Sequence, residues 1–134
     1  MKYACFGYFD EEKFAKVPEA QALAMMDDCI AYDDAVIRGG GYWAGGEGLQ
    51  SPKNTTTLRS QNGKVTVTDG PFIETKEQVG GLMFLEAKDL NEAIRLISNH
   101  PGLKMGPWEI RPVTDLNAMI KASQERREAG GQHA

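Results

Sequence analysis

The chain has 134 residues, 41% apolar and 25% charged, which suits a single domain with its own core. Its net charge of −4 supplies no electropositive footprint for a nucleic-acid duplex or an anionic membrane surface. No apolar run approaches the ~20 residues of a spanning helix and no export signal opens the chain, so the expectation is a cytoplasmic protein without direct nucleic-acid or membrane contacts.

Residues 2–9, rich in aromatic and small apolar types, read as a first strand that Asp10-Glu11-Glu12-Lys13 ends in solvent. Pro18 opens a helix on which Leu23, Met26, Ile30 and Ile37 recur at helical spacing, and Gly39-Gly40-Gly41 stops it. Cys5 in the strand and Cys29 on the helix read as small buried hydrophobes of a reducing compartment. No Cys or His spacing suggests a metal, and no cofactor is expected.

Residues 42–44 begin a second strand, and the glycines of Gly45-Gly46-Glu47-Gly48 predict a bulge or a close backbone approach. Thr55–Ser60 and Lys64–Thr68 flank Asn62-Gly63, the preferred pair for a two-residue type I′ hairpin. That turn sets Leu58 opposite Val67 and Ser60 opposite Val65, with Leu58, Val65 and Val67 on one face. Leu82–Leu85 reads as a strand covered on both faces, one of them a candidate subunit interface.

Asp89 caps a helix with Glu92 three residues on, and Leu90, Ala93, Ile94 and Ile97 form its stripe until Pro101-Gly102. Trp108–Val113 is a last strand, and Leu116, Met119 and Ile120 mark a short closing helix. Residues 1–122 are taken as the domain and 123–134 as a polar tail that frays at Gly130–Ala134. The order is α+β: a ferredoxin-like βαββαβ pattern with an inserted β-hairpin, whose open sheet face a second copy would cover.

The run Val67-Thr68-Asp69-Gly70-Pro71-Phe72-Ile73-Glu74-Thr75-Lys76-Glu77-Gln78-Val79-Gly80-Gly81 resembles the DGPF-type members of the YCII-related family. Gly46–Gln50, Asp89–Ala93 and Glu109–Val113 fall where that family places similar runs, so the resemblance covers roughly residues 2–115. It implies a dimeric α/β-barrel of ferredoxin-like subunits. In that family some members are suspected enzymes with a His–Asp pair and others are associated with sigma factors. Here no histidine clearly matches the suspected catalytic one: His100 ends the second helix, His133 lies in the tail, and Gly41 stands where some relatives carry His.

Asp69 is the first acid–base candidate, because a strand continued by one residue puts it on the face of Val65 and Val67, where desolvation favours proton chemistry. Asp-Gly-Pro is equally good turn chemistry, so a capping role stands beside the catalytic one. Asp33 falls within the apolar helical stripe and there needs a partner or a pocket; a slight rotation of the helix leaves it at the boundary. His100 is a third candidate, with a helix C-terminal role as its alternative.

Glu47, Phe72, Glu74, Lys76 and Arg111 are candidate substrate contacts. For Glu74 and Lys76 the alternative is a solvated loop, and for Arg111 a structural salt bridge. Two functions remain. One is a cofactor-free enzyme in which Asp69, with Asp33 or His100, moves a proton on a small polar metabolite. The other is a ligand-sensing or partner-binding module, with a sigma factor as the partner by family analogy.

Overall fold

The computed structural model describes residues 1–130; the expected fraying at Gly130–Ala134 and the histidine of the tail fall, apart from Gly130, outside the described residues. Strand β1 (Lys2–Asp10) leads into a short helix α1 (Glu11–Ala15), where Asp10 Oδ1 accepts the Lys13 N–H. Helix α2 (Glu19–Tyr32) continues directly into a π-helical segment, Asp33–Arg38. Then come β2 (Trp43–Gly48), the hairpin β3 (Thr56–Gln61) and β4 (Lys64–Asp69), β5 (Glu77–Glu86), α3 (Leu90–Ser98), β6 (Trp108–Pro112) and α4 (Leu116–Ala129).

Four strands form one antiparallel sheet in the order β2-β5-β1-β6, which is the ferredoxin-like arrangement expected from the βαββαβ pattern. The hairpin is a separate two-stranded sheet. Its register pairs Leu58 with Val67 and Ser60 with Val65, as the Asn-Gly turn predicts. Asn62 and Gly63 both adopt positive φ, 52° and 78°, the type I′ requirement.

The core lies between one sheet face and the helices. Tyr3 and Cys5 of β1 and Met83 and Leu85 of β5 share that face, because Cys5 pairs with Met83 and Tyr3 with Leu85. Ile37, Ala93, Leu96 and Ile97 close over them from the π segment and α3. At the start of α3 the expected capping is present, with Asp89 accepting the Glu92 N–H and Glu92 reaching back to the Lys88 N–H.

Three packing expectations change. Leu23, Met26 and Ile30 of the α2 stripe are exposed, the last two along the cleft between that helix and the sheet, and of the stripe only Ile37 enters the core. On α3 the buried residues are Ala93, Leu96 and Ile97, whereas Leu90 and Ile94 stay exposed. The closing helix is 14 residues long and crosses the expected boundary at residue 122, with Leu116, Met119 and Ile120 all exposed. Among the described residues, no helix is long and apolar enough to cross a membrane.

Candidate active site

A cleft of about 520 Å³ opens between α2 with its π extension and the ends of β1, β2 and β5, within the size range of small-molecule sites. Its walls are aromatic and apolar: Phe9, Phe14, Met26, Ile30, Trp43 and Trp108. Glycines make room for the rings. A Cβ at Gly7 would lie 2.7 Å from the Trp108 ring, one at Gly80 2.7 Å from Phe9, and one at Gly46 2.8 Å from Trp43.

Asp33 and His100 meet in this cleft. His100 Nε2 is 2.9 Å from Asp33 Oδ1, and the imidazole is only 4% exposed against 26% for the carboxylate. The second ring nitrogen is also committed, since His100 Nδ1 accepts the Gly102 N–H at 2.9 Å. That contact decides the tautomer: a nitrogen facing an N–H holds its lone pair toward it, so the hydrogen sits on Nε2 and is donated to Asp33.

The local chain explains the placement. His100-Pro101-Gly102 starts a single 3₁₀ turn with proline at its first position and His100 as its N-cap. Tyr32 and Trp108 pack their rings against the imidazole, at 5.3 and 4.8 Å between centroids. Tyr32 also donates its hydroxyl to the Leu96 carbonyl, tying the end of α2 to α3.

The π segment brings a further residue to the cleft. Gly39 N–H bonds to Asp34 O and Tyr42 N–H to Ile37 O, both five residues back. On an α-helix, positions five apart point roughly 140° away from each other. The wider π turn brings them closer to one face, and Asp33 and Arg38 both line the cleft. The Arg38 guanidinium lies 3.9 Å above the Trp43 ring, and its Nη1 donates to Asp34 at 3.2 Å.

Cys29 also lines the cleft, but burial, and then Asp33 and Asp28, raise the pKa of its thiol. It is held protonated and is a poor nucleophile. Among the described residues, no group of three or more His, Cys, Asp or Glu side chains is placed to hold a metal ion.

The remaining candidates are dispersed. Asp69 is exposed at the end of β4, pairs with Thr56 and lines no part of the cleft, so the expected desolvation is not found in the chain. Of the three acid–base candidates, Asp33 and His100 line the cleft. Gly70, at φ 97°, turns the DGPF run back onto the hairpin, where its N–H meets the Thr55 carbonyl and its carbonyl accepts from Thr57 Oγ1.

Phe72 is exposed beneath the Arg59 guanidinium, 4.5 Å from the ring, beside a second and shallower depression. Glu74 and Lys76 are exposed in the same loop, away from the cleft. Arg111 pairs with Ala4 on the open sheet face, away from the Asp33–His100 pair, and takes part in none of the salt bridges of the described residues. Glu47 stands at the cleft mouth, at the exposed end of β2.

The model of the YCII-related domain matches residues 1–117. The chain belongs to the YCII-related family. An uncharacterized protein of Rhizobium meliloti (strain 1021) is 31% identical over 116 residues, covering 84% of this chain and 92% of that relative. Among solved structures, this YCII-related protein is similar to the 5-chloro-2-hydroxyhydroquinone dehydrochlorinase of Burkholderia phenoliruptrix AC1100, in complex with 2,5-dihydroxybenzoquinone. The TM-score is 0.50 with 13% identity, covering 85% of this chain and 94% of that one. At that identity the likeness shows a shared fold.

Sequence reasoning missed Arg38, Trp43, Trp108 and the pairing of His100 with Asp33. Gly7 was the available signal for Trp108, since a glycine inside a strand marks a close approach. Pro101 marked His100 as the residue opening a 3₁₀ turn rather than merely ending a helix.

Proposed function

We propose that this YCII-related protein is a small cofactor-free enzyme in which Asp33 is the acid–base group, acting on a small polar molecule held in the aromatic cleft. The observation that carries this reading is the Asp33–His100 contact. One carboxylate oxygen is anchored by a nearly buried imidazole, and the other remains for a ligand. Both ring nitrogens of His100 are engaged, so the histidine acts as a positioning residue that fixes Asp33, and the carboxylate exchanges the proton.

The dehydrochlorination named for the similarly folded Burkholderia protein belongs to the same broad chemistry of proton removal from a small ring, and supplies a first test substrate. The test is chloride release from 5-chloro-2-hydroxyhydroquinone. Alongside it, proton NMR would follow deuterium incorporation into a set of enolisable and hydroxylated aromatic compounds. Wild type is expected to turn over at least one compound and Asp33→Asn to lose about 100-fold or more of that rate. Equal rates in the two proteins would refute the assignment.

We also propose that the working unit is a homodimer. The single chain exposes 9703 Å², against roughly 6,900 Å² for a compact monomer of this length. The surplus is well above the ~800 Å² per partner of a standard interface. The half-buried Phe6, Leu82 and Phe84 on the open sheet face are the surface that a second copy would cover.

A further inference from the structure

We infer that Arg38 is the anion-holding residue of the cleft, and that the cleft receives a planar hydroxylated ring which arrives neutral and becomes an oxyanion when its proton passes to Asp33. The inference deepens the proposed function and rests on its acid–base reading of Asp33.

The charges around the cleft constrain the ligand. Asp33 is the acidic residue beside His100, Glu47 stands at the mouth, and Arg38 is the sole guanidinium or ammonium among the lining residues. Asp34 meets Arg38 through an exposed ion pair of small energetic weight. A ligand carrying a permanent negative charge would be repelled by Asp33. A neutral hydroxyl is not: its O–H bond breaks, the proton goes to the free oxygen of Asp33, and the electron pair stays on the ligand oxygen. Asp33 is then neutral, and the one new negative charge sits beside Arg38.

Three features fit Arg38 to this role. The π turn sets it on the cleft side with Asp33. Stacking on Trp43 holds the guanidinium plane. Only Nη1 is engaged, by Asp34, and among the described residues no other acceptor takes the remaining N–H groups. The flat shape of the ligand follows from the indole walls of Trp43 and Trp108, which pack best against another π face.

The probe is 4-nitrophenol, whose phenolate is yellow, with nitrobenzene as a flat ligand that lacks the hydroxyl. The chain has two tryptophans, and both line the cleft, so their fluorescence reports occupancy directly. Wild type is expected to bind 4-nitrophenol with quenching and with a gain in phenolate absorbance. Arg38→Met, at a side chain 49% exposed and so expected to fold, should weaken 4-nitrophenol about tenfold or more, lose the phenolate band and leave nitrobenzene unchanged.

Arg38→Lys should restore part of the band. Equal 4-nitrophenol affinity in wild type and Arg38→Met overturns the inference, as does the absence of binding to wild type. If Asp33→Asn keeps full turnover while Arg38→Met loses the probe, the acid–base reading fails and the anion site stands.

Discussion

Asp33 and His100 are 67 residues apart in the chain and 2.9 Å apart in space, joined by a hydrogen bond whose donor is fixed by a backbone N–H on the far side of the ring. Under the proposed acid–base reading, function and stability are predicted to separate at this pair. Asp33→Asn keeps an oxygen for the Nε2–H, so its unfolding free energy in urea should stay within ~1 kcal/mol of wild type while catalysis is lost. His100→Ala removes a nearly buried ring, unties Asp33 and orphans the Gly102 N–H. It should cost about 2–4 kcal/mol, and a variant as stable as wild type would contradict the geometry.

Gly7→Ala tests the wall of the cleft. The added Cβ meets the rigid Trp108 ring at 2.7 Å, with no flexible side-chain end to give way. A loss of about 1–3 kcal/mol is expected, with a shifted tryptophan emission maximum as Trp108 moves. Unchanged stability and emission would place Trp108 elsewhere.

The fold was legible because its signals are local. Strand-like composition, the Asn-Gly turn and the Asp89 cap each act within a few residues, and together they set the βαββαβ element order and the hairpin register. The site was legible only in fragments. Asp33 stood out as a carboxylate in an apolar stripe, and His100 as one of two histidines, but their contact depends on a crossing between α2 and the 3₁₀ turn that no periodicity encodes.

Arg38 was invisible for a sharper reason: α-helical spacing points it away from Asp33, and only the π turn brings it back. The desolvation expected at Asp69 rested on Val65 and Val67 forming a buried face, whereas in the single chain that face is open to water.

Alkaline pH should expose the buried thiol of β1. Burial raises the Cys5 pKa from 9.0 to about 11. The unfolded chain releases this proton first, so the contribution is whole below pH 9 and is lost as pH rises toward 11, at a slope of roughly 1.4 kcal/mol per pH unit. Urea unfolding of wild type and Cys5→Ala across that window should show a shallower decline in the variant; parallel curves would contradict the burial of Cys5.

The open sheet face should govern assembly. Phe6 sits on it, opposite Leu82 and Glu109. Phe6→Glu is expected to shift sedimentation equilibrium from dimer to monomer while the circular dichroism spectrum is retained. A wild-type protein that sediments as a monomer would remove the dimer proposal.

Deuterium incorporation followed by proton NMR, on wild type beside Asp33→Asn, bears most directly on the acid at the cleft. Exchange into at least one hydroxylated or enolisable compound by wild type, with a drop of about 100-fold or more in a variant that unfolds at the same urea concentration, is the predicted result. Undiminished exchange in Asp33→Asn, or none by wild type across the set, would contradict it.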